Sequence, residues 1–202
     1  MDKDDTRERL IRIAAHELAR HGFQGMSLRK VAAKAGIGAA TVFHHFPGGK
    51  QALYLGTVSH IMAEMMELAG MRHGDLEGLS PADIIATQAE RFWDVLGDKP
   101  ELAAMLLREA FDDEVGPEGA LQTHASGVVE LAERYIQDAQ KAGELGDFDA
   151  RHFLAWASSY VVTFHGAPGI HRHILGERMD AASERALFTK RLRAYLRGEL
   201  PG

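Results

Sequence analysis

Apolar residues recur every three or four positions along most of the chain, and this spacing predicts an all-α protein. The first predicted helix runs from Thr6 to His21, with Leu10, Ala14 and Leu18 on one face and Gly22 as its stop. No segment shows the sustained alternation of apolar and polar residues that indicates a β-strand. The chain is therefore expected to bury its core between helices.

Glycine and proline residues divide the rest of the chain into further helical segments. We predict a helix capped by Ser27, a short one within Ala35–Phe46, and others over 50–69, 81–96, 100–113, 119–142, 148–175 and 179–196. The segment 148–175 is apolar on several faces, so it needs more than one covering surface. Pro168 is predicted to kink or split it. The expected fold has about nine helices.

The second and third predicted helices are separated by Ala35-Gly36-Ile37-Gly38, where Gly36 can adopt the positive φ of a sharp turn. Ile37 would fill the angle between the helices, with Val42 and Phe46 facing inward. The outward face would then consist of Ala39, Ala40, Thr41, His44 and His45.

This outward face has the composition of a helix that reads the DNA major groove. Short side chains such as Ala39 and Ala40 let the backbone approach the duplex, and Thr41 and His44 can hydrogen-bond to base edges. No acid is present to repel phosphates. A tight helical hairpin packed inside the protein would have the same spacing, so that interpretation stays open from these residues alone.

Polar and basic residues flank the predicted reading helix. Ser27, Arg29 and Lys30 begin the second helix, and Lys50 begins the fourth. A helix N-terminus that carries a cation attracts anions. We expect these four residues to hold the DNA backbone on both sides of the reading helix.

Charge is distributed unevenly along the chain. Residues 1–55 contain nine Lys/Arg and five Asp/Glu, whereas residues 56–202, here called the body, contain fourteen Lys/Arg and twenty-four Asp/Glu. A basic head on an acidic body favours contact between the head and a polyanion. The chain contains no cysteine, which excludes disulfides and thiolate metal sites. The charged N-terminus lacks a signal peptide and no segment is apolar enough to span a membrane, so we expect a cytoplasmic protein.

The segment RLIRIAAHELARHGFQGMSLRKVAAKAGIGAATVFHHFPGGKQALY (Arg9–Tyr54) resembles the N-terminal domain of the tetracycline-repressor (TetR) family. The shared features are Gly22-Phe23, the run from Ser27 to Ile37, the aromatic residues before the glycine turn, and Lys50 with Leu53. The resemblance implies a homodimeric, ligand-responsive transcriptional regulator, usually a repressor, with an all-α second domain. We therefore expect a DNA-binding domain over 1–55 and a ligand-binding and dimerisation domain over 56–202.

Two positions depart from the pattern of the family. Gly38 stands where a serine or threonine is common, and Phe43 stands where a tyrosine hydroxyl would reach a phosphate. Both changes remove a possible phosphate contact, although Phe43 still belongs to the expected DNA-facing set. A helical small-molecule-binding protein that has lost operator binding is therefore an alternative.

The resemblance implies that the last two long helices form a four-helix bundle with a second copy. Gly166, Ala167 and Gly169 would allow helices to approach closely there. A single central core helix would look similar in sequence.

The effector is expected to be small and partly apolar, because its candidate contacts are aromatic and aliphatic. These candidates are Phe92, Trp93, Met105, Leu106, His124, Tyr135 and Trp156. Ordinary core packing is the alternative for each of them. By resemblance, ligand binding displaces the fourth helix and moves the two reading helices off their spacing on the operator.

A metal protein or enzyme is the remaining alternative, suggested by His165, His171 and His173 with His152 upstream. Their spacing is not the i, i+4 spacing of helical zinc ligands, and no acid lies between them. We interpret His171 and His173 as exposed polarity at a helix end. The chain has no G-x-S-x-G motif, and we expect neither a cofactor nor enzymatic activity.

Overall fold

Ten α-helices make up most of the residues that the computed structural model describes, which are 3–68, 76–111, 120–176 and 180–199. The helices are α1 (Lys3–Gly25), α2 (Leu28–Lys34), α3 (Ala39–His45), α4 (Gly49–Leu68), α5 (Pro81–Asp98), α6 (Pro100–Phe111), α7 (Ala120–Lys141), α8 (Ala150–Gly166), α9 (Pro168–Leu175) and α10 (Ala181–Leu196). These ranges contain no β-strand, and the predicted all-α fold class is confirmed.

Helix starts follow from local side-chain chemistry. Ser80, Asp149 and Asp180 each precede a helix and accept a hydrogen bond from the backbone N–H three residues further on. Pro81 and Pro100 occupy the first helical position, where a missing N–H costs nothing. Each of these starts can therefore be traced to a residue type in the sequence.

Two interruptions lie where the sequence predicts them. The backbone at Gly22 has φ 64° and ψ −179°, so regular helical geometry stops there although a further turn carries α1 to Gly25. Pro168 begins a new helix after the non-helical Ala167, which splits the predicted segment 148–175 into α8 and α9. This split gives ten helices where the sequence predicted about nine.

Helices α6 and α8 lie at the centre of the core. Helix α1 packs on α6 and α4, α6 packs on α8, and α5 lies between α8 and α10. Gly166 of α8 faces the backbone of Ala103 in α6, where an added Cβ would lie 2.6 Å from the Ala103 carbonyl carbon. The close helix approach expected at this glycine is therefore made within the chain, whereas Gly169 has open space around it.

An aromatic cluster fills the space between α5, α8 and α10. The ring of Trp93 lies 4.6 Å from Phe164, 4.9 Å from His165, 5.5 Å from Phe188 and 6.2 Å from Tyr160, between centroids. Burial, followed by the hydrogen bond that its hydroxyl donates to Glu184, raises the pKa of Tyr160 to about 12. The rings on several faces of α8 thus have covering surfaces in the same chain.

Helix α4 passes through the boundary expected between residues 55 and 56. The N-terminal helices and the body are therefore joined by a continuous helix, and the division into two domains stays a prediction. No helix in the described ranges is long and apolar enough to cross a membrane.

Candidate nucleic-acid interface

The turn between α2 and α3 is fixed by backbone hydrogen bonds around Gly36. Gly36 has φ +66°, its N–H donates to the Ala33 carbonyl at 3.1 Å, and the Ile37 N–H donates to the Ala32 carbonyl at 3.0 Å. These two bonds are the Schellman arrangement, which requires a left-handed residue after the helix. Gly36 therefore forms the sharp turn between α2 and α3 that the sequence predicts.

The orientation of α3 agrees with the sequence prediction. Val42 and Phe46 are buried, and Ile37 is half-buried between the helices. Of the outward-facing residues, Ala39, Ala40 and His44 are exposed, and Thr41 and His45 are half-buried. The interpretation of α3 as a hairpin helix packed inside the protein is wrong, because this face is open.

No acid lies in the sequence around this face. Residues 18–63 contain no Asp or Glu, while they contain five Lys/Arg. The nearest acid before this stretch, Glu17, is 2% exposed, and its carboxylate lies 2.6 Å from the Lys34 ammonium. The interface is therefore free of exposed negative charge along 46 consecutive positions.

The Glu17–Lys34 ion pair links α1 to the end of α2. The hydrogen bond from Lys34 holds the pKa of Glu17 below its ordinary value, against the opposing effect of burial. Sequence reasoning missed this pair. The signal was present, because Glu17 follows Ala14 by three positions on the apolar face of α1, where an acid needs a partner.

The residues expected to contact phosphates differ in their exposure and in the hydrogen bonds that they make within the protein. Arg29 and Lys30 are exposed in the first turn of α2. Ser27 is the N-cap of α2, and its side chain makes no capping hydrogen bond, so the hydroxyl is not used by the helix. Lys50 donates to the Gln24 carbonyl at 2.9 Å, which fastens it to the end of α1 while two of its N–H groups remain.

The two departures from the family pattern lie on the same surface. Phe43 is 51% exposed, and its ring lies against Gly49 at the start of α4. Gly38 is the N-cap of α3 with φ −75° and ψ 151°, and nothing lies within 4 Å of an added Cβ. A side chain would therefore fit at Gly38 without strain.

Residues 10–56 match the family model of bacterial regulatory proteins, tetR family. This N-terminal segment of the chain is therefore similar to the tetR family. The matched segment contains all of α2 and α3, so the resemblance drawn from the sequence motifs is confirmed. No curated protein matches the chain in sequence.

Solved structures share the fold of the whole chain. Transcriptional regulator SCO4942 from Streptomyces coelicolor is 24% identical, with 93% of this chain and 96% of that chain covered and a TM-score of 0.72. FadR from Bacillus subtilis, crystallised with stearoyl-CoA, is 14% identical over 93% and 98%, with a TM-score of 0.73. HlyIIR, a hemolysin II regulator, is 17% identical over 97% and 99%, with a TM-score of 0.70. The family and these neighbours are transcriptional regulators and not enzymes.

The residues expected to line an effector pocket differ in how far they are buried. Trp93 and Met105 are buried in the core, and Phe92 and Leu106 are half-buried beside it. Trp156 is 42% exposed, and Tyr135 is also exposed on α7. The side chain of His124 lies outside the described residues. A pocket made by this set stays a prediction.

Two clefts are found elsewhere on the molecule. One, of about 230 Å³, lies between α1, α4 and α6 and is lined by Arg12, His16, His60 and Lys99 among others. The other, of about 440 Å³, lies between α5 and α10. Neither is lined by a residue from the expected effector set.

The histidines of α8 and α9 have different surroundings. Burial lowers the pKa of His165, whose ring packs edge-on against Trp93. His171 is half-buried against Tyr160 and Phe164, so its interpretation as exposed polarity is wrong, whereas His173 is exposed. Among the residues that the structure describes, no three His, Asp or Glu side chains are grouped to hold a metal ion.

Proposed function

We propose that the protein is a transcriptional regulator, acting as a repressor, that binds a palindromic double-stranded operator as a homodimer. The observation that carries this proposal is the exposed face of α3, which has small and hydrogen-bonding side chains and lies within 46 positions that contain no acid. A polyanion can approach such a surface without repulsion, and the exposed Arg29 and Lys30 attract it.

The roles of the side chains follow from their positions on α3. Ala39 and Ala40 let the helix backbone approach the groove, and Thr41 and His44 hydrogen-bond to base edges. Phe43 is exposed and His45 is half-buried on the same helix, and we expect both to lie close to the sugar–phosphate strands. The contacts of Thr41 and His44 with bases specify the DNA sequence, whereas contacts with phosphates do not.

Phosphate contacts come from the ends of α2 and α4. Ser27 offers a hydroxyl that α2 does not use, and Arg29 and Lys30 project from the first turn. Lys50 contributes through the N–H groups that Gln24 leaves free. Together they fix the position of α3 in the groove.

A second copy is needed because one reading helix contacts too few bases for useful specificity. Paired helices would read half-sites about 34–36 Å apart. Trp156 on α8 and Leu187 on α10 are large apolar side chains left exposed on the two helices expected to form the dimer. We therefore assign dimerisation to α8 and α10 in the C-terminal domain over 56–202.

The effector is proposed to be a small, partly apolar molecule bound in the body. The similar FadR structure contains stearoyl-CoA, and the body of this chain holds the aromatic cluster around Trp93. Helix α1 packs on α6, and α4 continues into the body. A shift of α1 or α4 would therefore move α3. Effector and operator are then expected to weaken each other's binding by the same factor.

The test is selection of bound DNA from a random pool, followed by titration of the selected sequence at several salt concentrations. We expect a palindromic consensus and an affinity that falls steeply with salt. The double variant Arg29→Gln/Lys30→Gln should bind all sequences more weakly and reduce the salt slope by up to about two. His44→Ala should change the selected bases. Lys141→Gln on the body should change neither the affinity for DNA nor the selected bases.

The outcomes separate the proposal from its alternative. Failure to enrich any sequence, with intact folding, would identify a helical small-molecule-binding protein without operator binding. A consensus without two-fold symmetry would contradict the proposed dimeric arrangement but not the proposed DNA-reading surface.

A further inference from the structure

The cleft between α5 and α10 is unusual for the acidic body of this protein. Its volume is about 440 Å³, within the range of about 300–1,000 Å³ that small-molecule sites occupy. Four basic side chains line it, against two acidic ones, Glu90 and Glu199. Basic side chains therefore outnumber acidic ones in the lining, although residues 56–202 are acidic as a whole.

Part of this basic charge holds α10 on α5. Arg185 donates to both carboxylate oxygens of Asp94 at 2.7 and 2.8 Å, and Arg193 donates to Glu90 at 3.0 Å. Arg197 lies 3.4 Å from Asp83. Asp83 and Asp94 neutralise these arginines from outside, since neither lines the cleft.

The arginines have N–H donors that these ion pairs do not use. Arg193 bonds through its Nε and one Nη, and Arg197 through a single Nη, out of five N–H groups on each guanidinium. Lys190 is exposed, lines the cleft, and makes no ion pair with any residue in the described ranges. Donors without acceptors are thus available on one wall.

Thr189 adds a polar group that lacks a partner. The residue lines the cleft between the Arg185 and Arg193 turns of α10, and is only 4% exposed. Its hydroxyl is buried and makes no hydrogen bond with the rest of the described chain. A buried hydroxyl without a partner costs free energy. A ligand group that accepts a hydrogen bond from it removes this cost and so binds more tightly.

We propose that this cleft is a binding site for a small anionic molecule that carries a phosphate or carboxylate group. Lys190 and the N–H groups of Arg193 and Arg197 that make no ion pair surround the anion, and a rotation of the Thr189 side chain lets its hydroxyl donate to it. The site is separate from the reading surface on α3 and does not depend on DNA binding.

The test is isothermal titration of the full-length protein with inorganic phosphate and, separately, with citrate, at ionic strength held constant with sodium chloride. We expect saturable binding of at least one of the two anions. Tighter binding of phosphate would indicate a ligand with a phosphate group, and tighter binding of citrate a ligand with carboxylate groups. Lys190→Gln should weaken binding about tenfold, because it removes a charge-assisted contact.

Thr189 supplies a paired test that a general loss of charge cannot mimic. Thr189→Val keeps the shape and removes the hydroxyl, so binding should weaken, whereas Thr189→Ser should retain it. Lys141→Gln, which removes an exposed lysine on α7, is the control and should bind as the wild type does. Absence of saturable binding to both anions, or equal binding by wild type, Lys190→Gln and Thr189→Val, would overturn the proposal.

Discussion

Replacement of Gly166 by alanine tests the packing at the centre of the body. An added Cβ would lie 2.6 Å from the carbonyl carbon of Ala103, 2.7 Å from its oxygen and 2.8 Å from a methyl of Leu107. Favourable contacts between such atoms are about 3.5–4.0 Å. The deficit is therefore about 1 Å, and two of the three atoms belong to the backbone of α6 and cannot rotate away.

The expected loss of stability can be worked out from these contacts. Overpacking costs about 1–3 kcal/mol, and backbone contacts place this site near the upper value. Alanine gains at most about 1 kcal/mol over glycine from helix propensity. The free energy of unfolding should therefore fall by about 2 kcal/mol in Gly166→Ala.

Gly169→Ala is the matched control, because nothing lies within 4 Å of a Cβ at that helical position. It should leave the free energy of unfolding unchanged or raise it by up to about 1 kcal/mol. Urea unfolding followed by far-UV circular dichroism measures both variants, at one protein concentration because oligomers gain stability with concentration. A Gly166→Ala protein as stable as the wild type would refute the placement of α8 against α6.

Three further predictions concern the DNA-binding helices. Gly38→Ser should raise the free energy of unfolding by about 0.5–1 kcal/mol in urea denaturation, since serine caps α3 and restricts the unfolded chain at a φ it adopts easily. Glu17→Gln should lower it by about 1 kcal/mol at pH 7, discounted because Lys34 is half-exposed. Because the pKa of Glu17 is lowered on folding, this difference should persist above its ordinary value of 4.5 and disappear as the pH falls through the lowered value. Phe43→Tyr should preserve or tighten operator binding in a gel-shift titration, because the exposed ring can present a hydroxyl to a phosphate.

Each of these predictions can fail in a distinct way. Destabilisation of α3 by Gly38→Ser would mean that the N-cap geometry is different, and Gly36→Ser, at a positive φ, is the destabilising comparison. A stability difference for Glu17→Gln that survives in acid would exclude the ion pair as its cause. Clear weakening of operator binding by Phe43→Tyr would show that the ring does not face the strands.

Local sequence patterns account for the helices and the exposed face of α3, because both depend on neighbours a few positions apart. The positive φ at Gly36, the buried Val42 and Phe46, and the split at Pro168 each follow from a residue type and its local spacing. The small, acid-free outer face of α3 could be read in the same way, since helical periodicity assigns each residue to a face.

The contacts between residues far apart in the chain depend on the tertiary packing. Lys34 pairs with Glu17 across 17 positions, and Arg185 reaches Asp94 across 91, separations at which no local pattern specifies a partner. The expected effector set combined core residues with exposed ones for the same reason, since an aromatic residue looks alike in sequence whether it is packed inside or left at a surface. Gly166 likewise suggested a close approach, and its partner was set by the packing of α8 on α6, which depends on the shapes of both helices together.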